Sequence, residues 1–144
     1  METVLFACTH NAGRSQMSAA FFNLWADPTR ARAISAGTEP TELHPEVVTV
    51  MREVGIDLSS AKPRKLTPEI ASQAQLVVTI GCGEACPVVP GARYEDWQIE
   101  DPKGKPLEQV RAIRDECRDR VYQLITAEAW GRAALAENEK YGLK

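Results

Sequence analysis

No stretch of this chain approaches the roughly 20 apolar residues that a membrane-spanning helix needs. The opening Met1-Glu2-Thr3 lacks the basic and then apolar pattern of a secretory signal, so a cytoplasmic protein is expected. An excess of one charge is also missing. The 17 Lys and Arg against 20 Asp and Glu leave a formal net charge of −3, which gives no basis for binding nucleic acid or an anionic membrane. Histidine is scarce, at two residues, and no cluster with metal-ligand spacing completes a site around the cysteines. No repeat, low-complexity run or linker divides the 144 residues, which suffice for one domain with a real core. In a cytoplasmic chain, the four cysteines are expected to be catalytic, metal-binding or buried rather than permanently bridged.

Against this plain background one run stands out. Val4-Leu5-Phe6-Ala7 is a short apolar strand that leads into Cys8-Thr9-His10-Asn11-Ala12-Gly13-Arg14-Ser15, and an amphipathic helix follows. A cysteine, five residues and an arginine between a strand and a helix make a cradle for a tetrahedral oxyanion. Loop amides from Thr9 through His10, Asn11, Ala12, Gly13 and Arg14 to Ser15, at the helix N-terminus, are expected to supply donors and a positive dipole end. Arg14 supplies a planar fork that matches two anion oxygens. Positive surroundings of this kind favour thiolate over thiol, and the thiolate is the nucleophile. Ser15 is placed to donate to the Cys8 sulfur, and Asn11 and Gly13 suit left-handed or tight loop geometry. For His10 the sequence does not separate a functional role from an exposed loop position.

The rest of the chain alternates strands and helices. The spacing predicts a strand over residues 3–7, a helix from Arg14 to Trp25 with Met17, Ala20, Phe21 and Leu24 inward, and a strand over Ala31–Ile34. Pro45 opens a helix with Val47, Val48, Met51 and Val54 on its inner face, and Gly55 ends it. A weaker helix is expected near Pro68–Ser72, a buried strand over Gln75–Ile80 and a short strand near Arg93–Trp97. A last long helix carries Leu107, Val110, Ile113, Cys117, Val121 and Leu124, with the Arg and Glu residues of 108–120 on its solvated face. Residues 128–144 read as a further helix or tail of the domain that occupies 1–127. Such alternation predicts an α/β sandwich around a parallel sheet, with the active site beyond the C-terminal strand ends. Cys8, loop 81–91 and loop 98–104 each follow a predicted strand, so they are expected on one edge.

Two further groups have chemistry to offer there. Asp101, stiffened by Pro102, is placed to protonate an oxygen leaving the central atom of an oxyanion. Cys82 and Cys86, separated by three residues in a Gly-rich loop, can approach disulfide distance if the loop bends. From the residues alone they are a redox pair, a half-buried pair, or part of a metal site whose other ligands are missing. Cys117 reads as core, His44 as a cap or solvent-facing residue, and Trp97 as packing.

Residues 8–17, Cys-Thr-His-Asn-Ala-Gly-Arg-Ser-Gln-Met, resemble the opening of arsenate reductases built on the low-molecular-weight tyrosine phosphatase fold. Ser35-Ala36-Gly37, Val54-Gly55-Ile56-Asp57, Val77-Val78-Thr79 with its cysteine loop, Glu95-Asp96-Trp97 with Asp101-Pro102, and the helix Val110–Arg118 extend the likeness over residues 3–127. The resemblance implies a three-layer sandwich with a four-stranded parallel sheet and the reduction of arsenate to arsenite, with phosphate or sulfate as analogues. It also implies a thiol relay in which Cys8 attacks arsenic, Asp101 protonates the leaving hydroxyl, Cys82 attacks Cys8, and Cys86 resolves the disulfide. No bound cofactor and a monomer are expected, with thioredoxin as the external reductant; glutaredoxin with glutathione, or mycothiol with its own redoxin, are the alternative donors. The spacing of Cys82 and Cys86 is shorter than in the familiar thioredoxin-linked members. Gly13 stands in place of a frequent loop cysteine. Ala19 stands where some relatives carry an acidic potassium ligand, so that cation is not expected. Two other functions fit parts of the pattern: a phosphatase acting through a Cys8 phosphoenzyme, and a non-catalytic oxyanion sensor switched by thiol oxidation.

Overall fold

The computed structural model describes residues 1–81 and 90–132. Its centre is a sheet of four parallel strands: β1 (Glu2–Cys8), β2 (Ala31–Gly37), β3 (Leu76–Ile80) and β4 (Arg93–Asp96), in the order β2-β1-β3-β4. The apolar runs of β1 and β3 occupy the two inner positions, where both faces are covered, and every residue of β3 is buried. Helices α1 (Arg14–Trp25), α2 (Pro45–Arg52), α3 (Pro68–Ala71) and α4 (Leu107–Glu128) make the crossovers and the outer layers.

The larger core lies between the sheet and helices α1, α2 and α4. It contains Phe6, Met17, Phe22, Met51, Val110 and Val121, all fully buried. Each such side chain contributes about 1.5–3 kcal/mol by leaving water. A smaller cluster of Leu5, Ala7, Ala36 and Val77 fills the other face under α3.

The observed elements differ from the sequence expectation in instructive places. Strand β2 continues to Gly37 because its pairing with β1 runs without a break to Cys8↔Gly37. On α1, Leu24 is exposed while Phe22 and Trp25 are buried, because the helix is covered by α4 as well as by the sheet. On α2 the inner residues are Val47, Val50 and Met51, and Val54 falls beyond the helix end on the surface. Arg114, expected on a solvated face, is buried. It donates from Nη1 to the carbonyl of Val50 at 2.8 Å and to Glu53 Oε1 at 3.0 Å, tying α4 to the C-terminal end of α2.

Beyond α4, Ala129 adopts a left-handed conformation (φ 58°) that turns the chain back onto the domain. Trp130 then packs edge-on against Phe22 at 5.9 Å, and its carbonyl accepts from Asp27 N at 2.7 Å. Cys82, Cys86 and residues 133–144 lie outside the described residues.

Candidate active site

The oxyanion loop joins β1 to α1 at the C-terminal edge of the sheet. Its carbonyls are engaged from outside. Cys8 O accepts from Thr38 N at 3.3 Å, Thr9 O from Glu39 N at 2.7 Å, His10 O from Thr41 N at 3.1 Å and Ala12 O from His44 N at 3.1 Å. Gly13 O begins the helix by accepting from Met17 N at 2.9 Å. Segment 38–44 thus holds the loop by its oxygens, which leaves the amide side of the same peptides for an anion. Helix α1 adds its N-terminus: Gly13 in the cap position provides no side chain, and no acidic residue occupies the first turn.

Within this ring Cys8 is nearly fully buried, and its Sγ lies 2.8 Å from Ser15 Oγ. Asn11 decides the direction of that bond. Its Nδ2 donates to Ser15 Oγ at 2.7 Å, so the hydroxyl proton of Ser15 is left for the Cys8 sulfur. Asn11 is itself fully buried and left-handed, with φ 49°. Its Oδ1 accepts from Gln16 Nε2 at 3.2 Å and from the backbone N–H of Arg64 at 3.0 Å. Every polar group of this side chain therefore has a partner.

Arg14 reaches across to the loop after β4. Its Nη1 donates to Ile99 O at 3.0 Å, and its Nη2 lies 3.8 Å from Asp101 Oδ2. Arg14 is almost enclosed while Asp101 is about half exposed, with side-chain exposures of 9% and 46%. Asp101 is turned by its other oxygen, which accepts from Lys103 N at 3.0 Å. The acid loop leans directly on the oxyanion loop: a Cβ on Gly13 would lie 2.8 Å from Pro102 Cγ. The loop after β3 begins against the same guanidinium. Gly81 has φ +76°, and a Cβ there would collide with Arg14 Nη1 and stand 3.0 Å from its Cζ. A side chain at position 81 is therefore disfavoured by the backbone and would have to displace the end of the arginine.

At this sheet edge Arg14 lies near both Gly81 and Asp101, Thr9 Oγ1 donates to Gly81 O at 3.4 Å, and His10 Nδ1 lies 3.0 Å from Glu39 O, while positions 82–89 of the loop after β3 lie outside the described residues. Cys117 lies beneath the loop rather than in it. Its thiol donates to Arg14 O at 3.9 Å, and burial pushes its pKa up to about 12. Sequence reasoning missed Gln16, Gly81 and the backbone of Arg64. Only Gly81 carried a local signal, as a glycine directly after a buried strand. Among the described residues, no group of three or more His, Cys, Asp or Glu side chains could hold a metal ion.

A parallel four-stranded sheet with a Cys-x5-Arg loop after its first strand and an Asp-Pro after its last defines a class of cysteine-dependent oxyanion enzymes. Residues 3–140 match the low molecular weight phosphotyrosine protein phosphatase family, and the chain belongs to it. Several similar proteins in that family are reductases by name, and a low molecular weight protein tyrosine phosphatase from T. tengcongensis also superposes, with a TM-score of 0.77 at 26% identity, covering 88% of this chain and 99% of its own. The glutaredoxin arsenate reductase of Synechocystis is 35% identical over 128 residues, which cover 87% of this chain and 97% of that protein. The thioredoxin-dependent arsenate reductase of Corynebacterium glutamicum superposes with a TM-score of 0.76 at 35% identity. It covers 88% of this chain, and the chain spans 61% of that structure's length. A solved arsenate reductase in the phosphate binding state gives a TM-score of 0.74 at 34% identity, covering 88% of this chain and 98% of its own.

Proposed function

We propose that this protein is an arsenate reductase that works by nucleophilic attack of Cys8 and an internal thiol relay through Cys82 and Cys86. The observation that carries the reading is the Cys8 sulfur, 2.8 Å from the Ser15 hydroxyl at the start of a loop whose Arg14 lies 3.8 Å from Asp101. Arsenate enters the ring of loop amides and is held there by Arg14. The Cys8 thiolate bonds to arsenic, an As–O bond breaks, and Asp101 gives its proton to the departing hydroxyl, which leaves as water. The Cys82 thiolate then attacks the Cys8 sulfur. The electron pair of the S–As bond passes to arsenic, which leaves as arsenite, reduced by two electrons, while Cys8 and Cys82 become a disulfide. Cys86 attacks Cys82, frees the Cys8 thiolate and leaves a Cys82–Cys86 bridge for an external dithiol.

The donor is a protein of the thioredoxin type, and no bound cofactor takes part. Both thioredoxin and glutaredoxin appear in the names of relatives; thioredoxin is the donor proposed. The protein acts as a cytoplasmic monomer, with residues 128–144 belonging to the domain of residues 1–127. No helix among the described residues is long and apolar enough to cross a membrane.

Phosphatase action is the competing reading, because the same cysteine, arginine and acid would serve a phosphate ester. The acid loop argues against it. Its only aromatic residue, Trp97, is buried against Phe6 at 5.6 Å, and Lys103-Gly104-Lys105 follow the acid, so nothing in that loop grips a phenyl ring. Arsenate-dependent turnover with a thioredoxin system tests the assignment. Cys8→Ser abolishes it, and Cys82→Ser stops cycling while arsenate still binds. If Cys82→Ser hydrolyses an aryl phosphate as fast as the parent and neither protein turns over arsenate, the protein is a phosphatase. Failure of both reactions in the parent would leave the sensor reading.

A further inference from the structure

An open pocket lies along α1, with the exposed Lys62 and Arg64 at its edge. It has a volume of about 370 Å³ and is bounded by α1, β2 and the segment around residues 58–64. Its apolar wall is Ala19, Ala20, Ala33, Ile34 and Leu58. The charges along it are Lys62 and Arg64, and no carboxylate lines it. In a chain with more acidic than basic residues, a pocket whose two charged lining residues are both cations favours an anion. Arg64 uses its Nε on Ser35 O at 3.0 Å, which fixes the plane of the guanidinium. Its two terminal nitrogens and the ammonium of Lys62 have no ion-pair partner among the described residues. We infer that this cavity binds a small organic anion, a carboxylate on an apolar body, and that its occupancy is transmitted to Cys8.

Size and chemistry select the ligand. A cavity in this volume range holds a small organic molecule rather than a bare ion. The alanine, isoleucine and leucine side chains desolvate an apolar ring or chain, and an oriented guanidinium pairs with a planar carboxylate through two parallel bonds.

Transmission follows from four bonds already described. Gln16 lines the cavity, is itself 8% exposed, and donates to Asn11 Oδ1. The Arg64 N–H donates to the same oxygen. Asn11 in turn donates to Ser15 Oγ, and Ser15 to the Cys8 sulfur. An anion that draws the Arg64 side chain inward moves the peptide that anchors Asn11, and with it the hydroxyl that the nucleophile depends on. Any effect on arsenate turnover rests on the reductase reading. Binding, and the effect on the reactivity of Cys8, do not.

The test uses reduced, ¹⁵N-labelled full-length protein titrated with benzoate, with benzamide as the neutral control of the same shape. Benzoate is expected to give saturable shifts at the amides of Ala20, Ile34, Lys62 and Arg64 and at the side-chain amide of Asn11. Benzamide should bind at least roughly tenfold more weakly, the effect of losing one charge-assisted pair worth about 1.4 kcal/mol. The double substitution Lys62→Gln with Arg64→Gln should weaken benzoate similarly, and Ala20→Leu should weaken it by crowding the apolar wall with both cations in place. Alkylation of Cys8 by iodoacetamide, followed on its own peptide by mass mapping, should change at least about twofold at saturating benzoate in the parent, and the change should require higher benzoate in Ala20→Leu. No saturable shift, equal binding of benzoate and benzamide, or shifts confined to residues 8–15 would overturn the site. Saturable shifts with unchanged Cys8 alkylation would overturn the transmission. No arsenate is present, so the outcome is independent of whether the protein reduces it.

Discussion

Replacing Asn11 with alanine removes the buried side chain that ties the oxyanion loop to Gln16 and to the backbone of Arg64. Two donors lose their acceptor, Gln16 Nε2 and the N–H of Arg64. Gln16 is buried, and a buried donor left without an acceptor costs about 1–3 kcal/mol. Alanine at φ 49° adds about 1 kcal/mol of left-handed strain, which asparagine tolerates better. Arg64 is exposed, so its N–H can turn to water, and one buried donor plus the strain gives a loss of about 2–4 kcal/mol, a sizeable part of the roughly 5–15 kcal/mol typical of a folded domain. Urea unfolding followed by tryptophan fluorescence measures it directly, since Trp25, Trp97 and Trp130 are all buried. Asn11→Asp separates structure from chemistry. It keeps an oxygen for Gln16 and Arg64, so its stability loss should be well under half that of Asn11→Ala. It also removes the N–H that directs the Ser15 hydroxyl and brings a negative charge towards the Cys8 thiolate. Its kcat for arsenate should therefore fall roughly 100-fold, equivalent to about 2.7 kcal/mol. If Asn11→Ala unfolds within 1 kcal/mol of the parent, the network attributed to Asn11 does not hold the loop.

Other expectations follow from the same geometry. Gly81→Ala should leave the fold intact but lower kcat/KM for arsenate at least roughly tenfold, because its methyl group displaces the Arg14 guanidinium; unchanged kinetics would mean the arginine has room to spare. Arg14→Lys should lower kcat/KM by roughly 100-fold or more, since an ammonium cannot both bond Ile99 O and present a fork to two arsenate oxygens. Asp101→Asn should slow the first step, read by stopped-flow as loss of the Cys8 thiol, without weakening arsenate binding; an unchanged rate would remove Asp101 as the acid. Cys117 provides a pH test. Its thiol stays protonated in the folded state up to about pH 12, whereas in the unfolded chain it ionises near 9. The unfolded state then holds fewer protons, so between these values stability falls as pH rises, by at most about 1.4 kcal/mol per pH unit. Urea midpoints measured between pH 8 and 10.5 should show this slope in the parent and a shallower one in Cys117→Ala.

The parts of the molecule legible in the sequence are those set by local pattern. The run from Val4 to Ser15 combines an apolar strand, turn-forming residues and a helix start within one short window, so β1, the loop and α1 could be read with near-correct limits. Asp101 was legible because a strand and a proline flank it. Periodicity misled where a helix is covered from two sides. Leu24 continues the α1 stripe yet is exposed, and Phe22 breaks it yet is buried, because α4 covers the flank that a two-layer picture assigns to solvent. Arg114 was read as surface by its charge, since nothing local announces the Val50 carbonyl at the end of another helix. The same reason hid Gln16 and Arg64. Each matters only through Asn11, and Arg64 is 53 residues away from it.

The lacing of residues 38–44 onto the carbonyls of the oxyanion loop has a consequence for how this pocket can change over time. On the proposed reading an oxyanion is gripped largely by peptide groups, which no codon change can delete. The partly exposed side chains of Thr9 and His10 are therefore the ones with room to vary, and a new guest of similar shape and charge needs no new binding ring. Mutational sensitivity moves outward instead, to the strap behind the ring and to the few side chains that keep it taut.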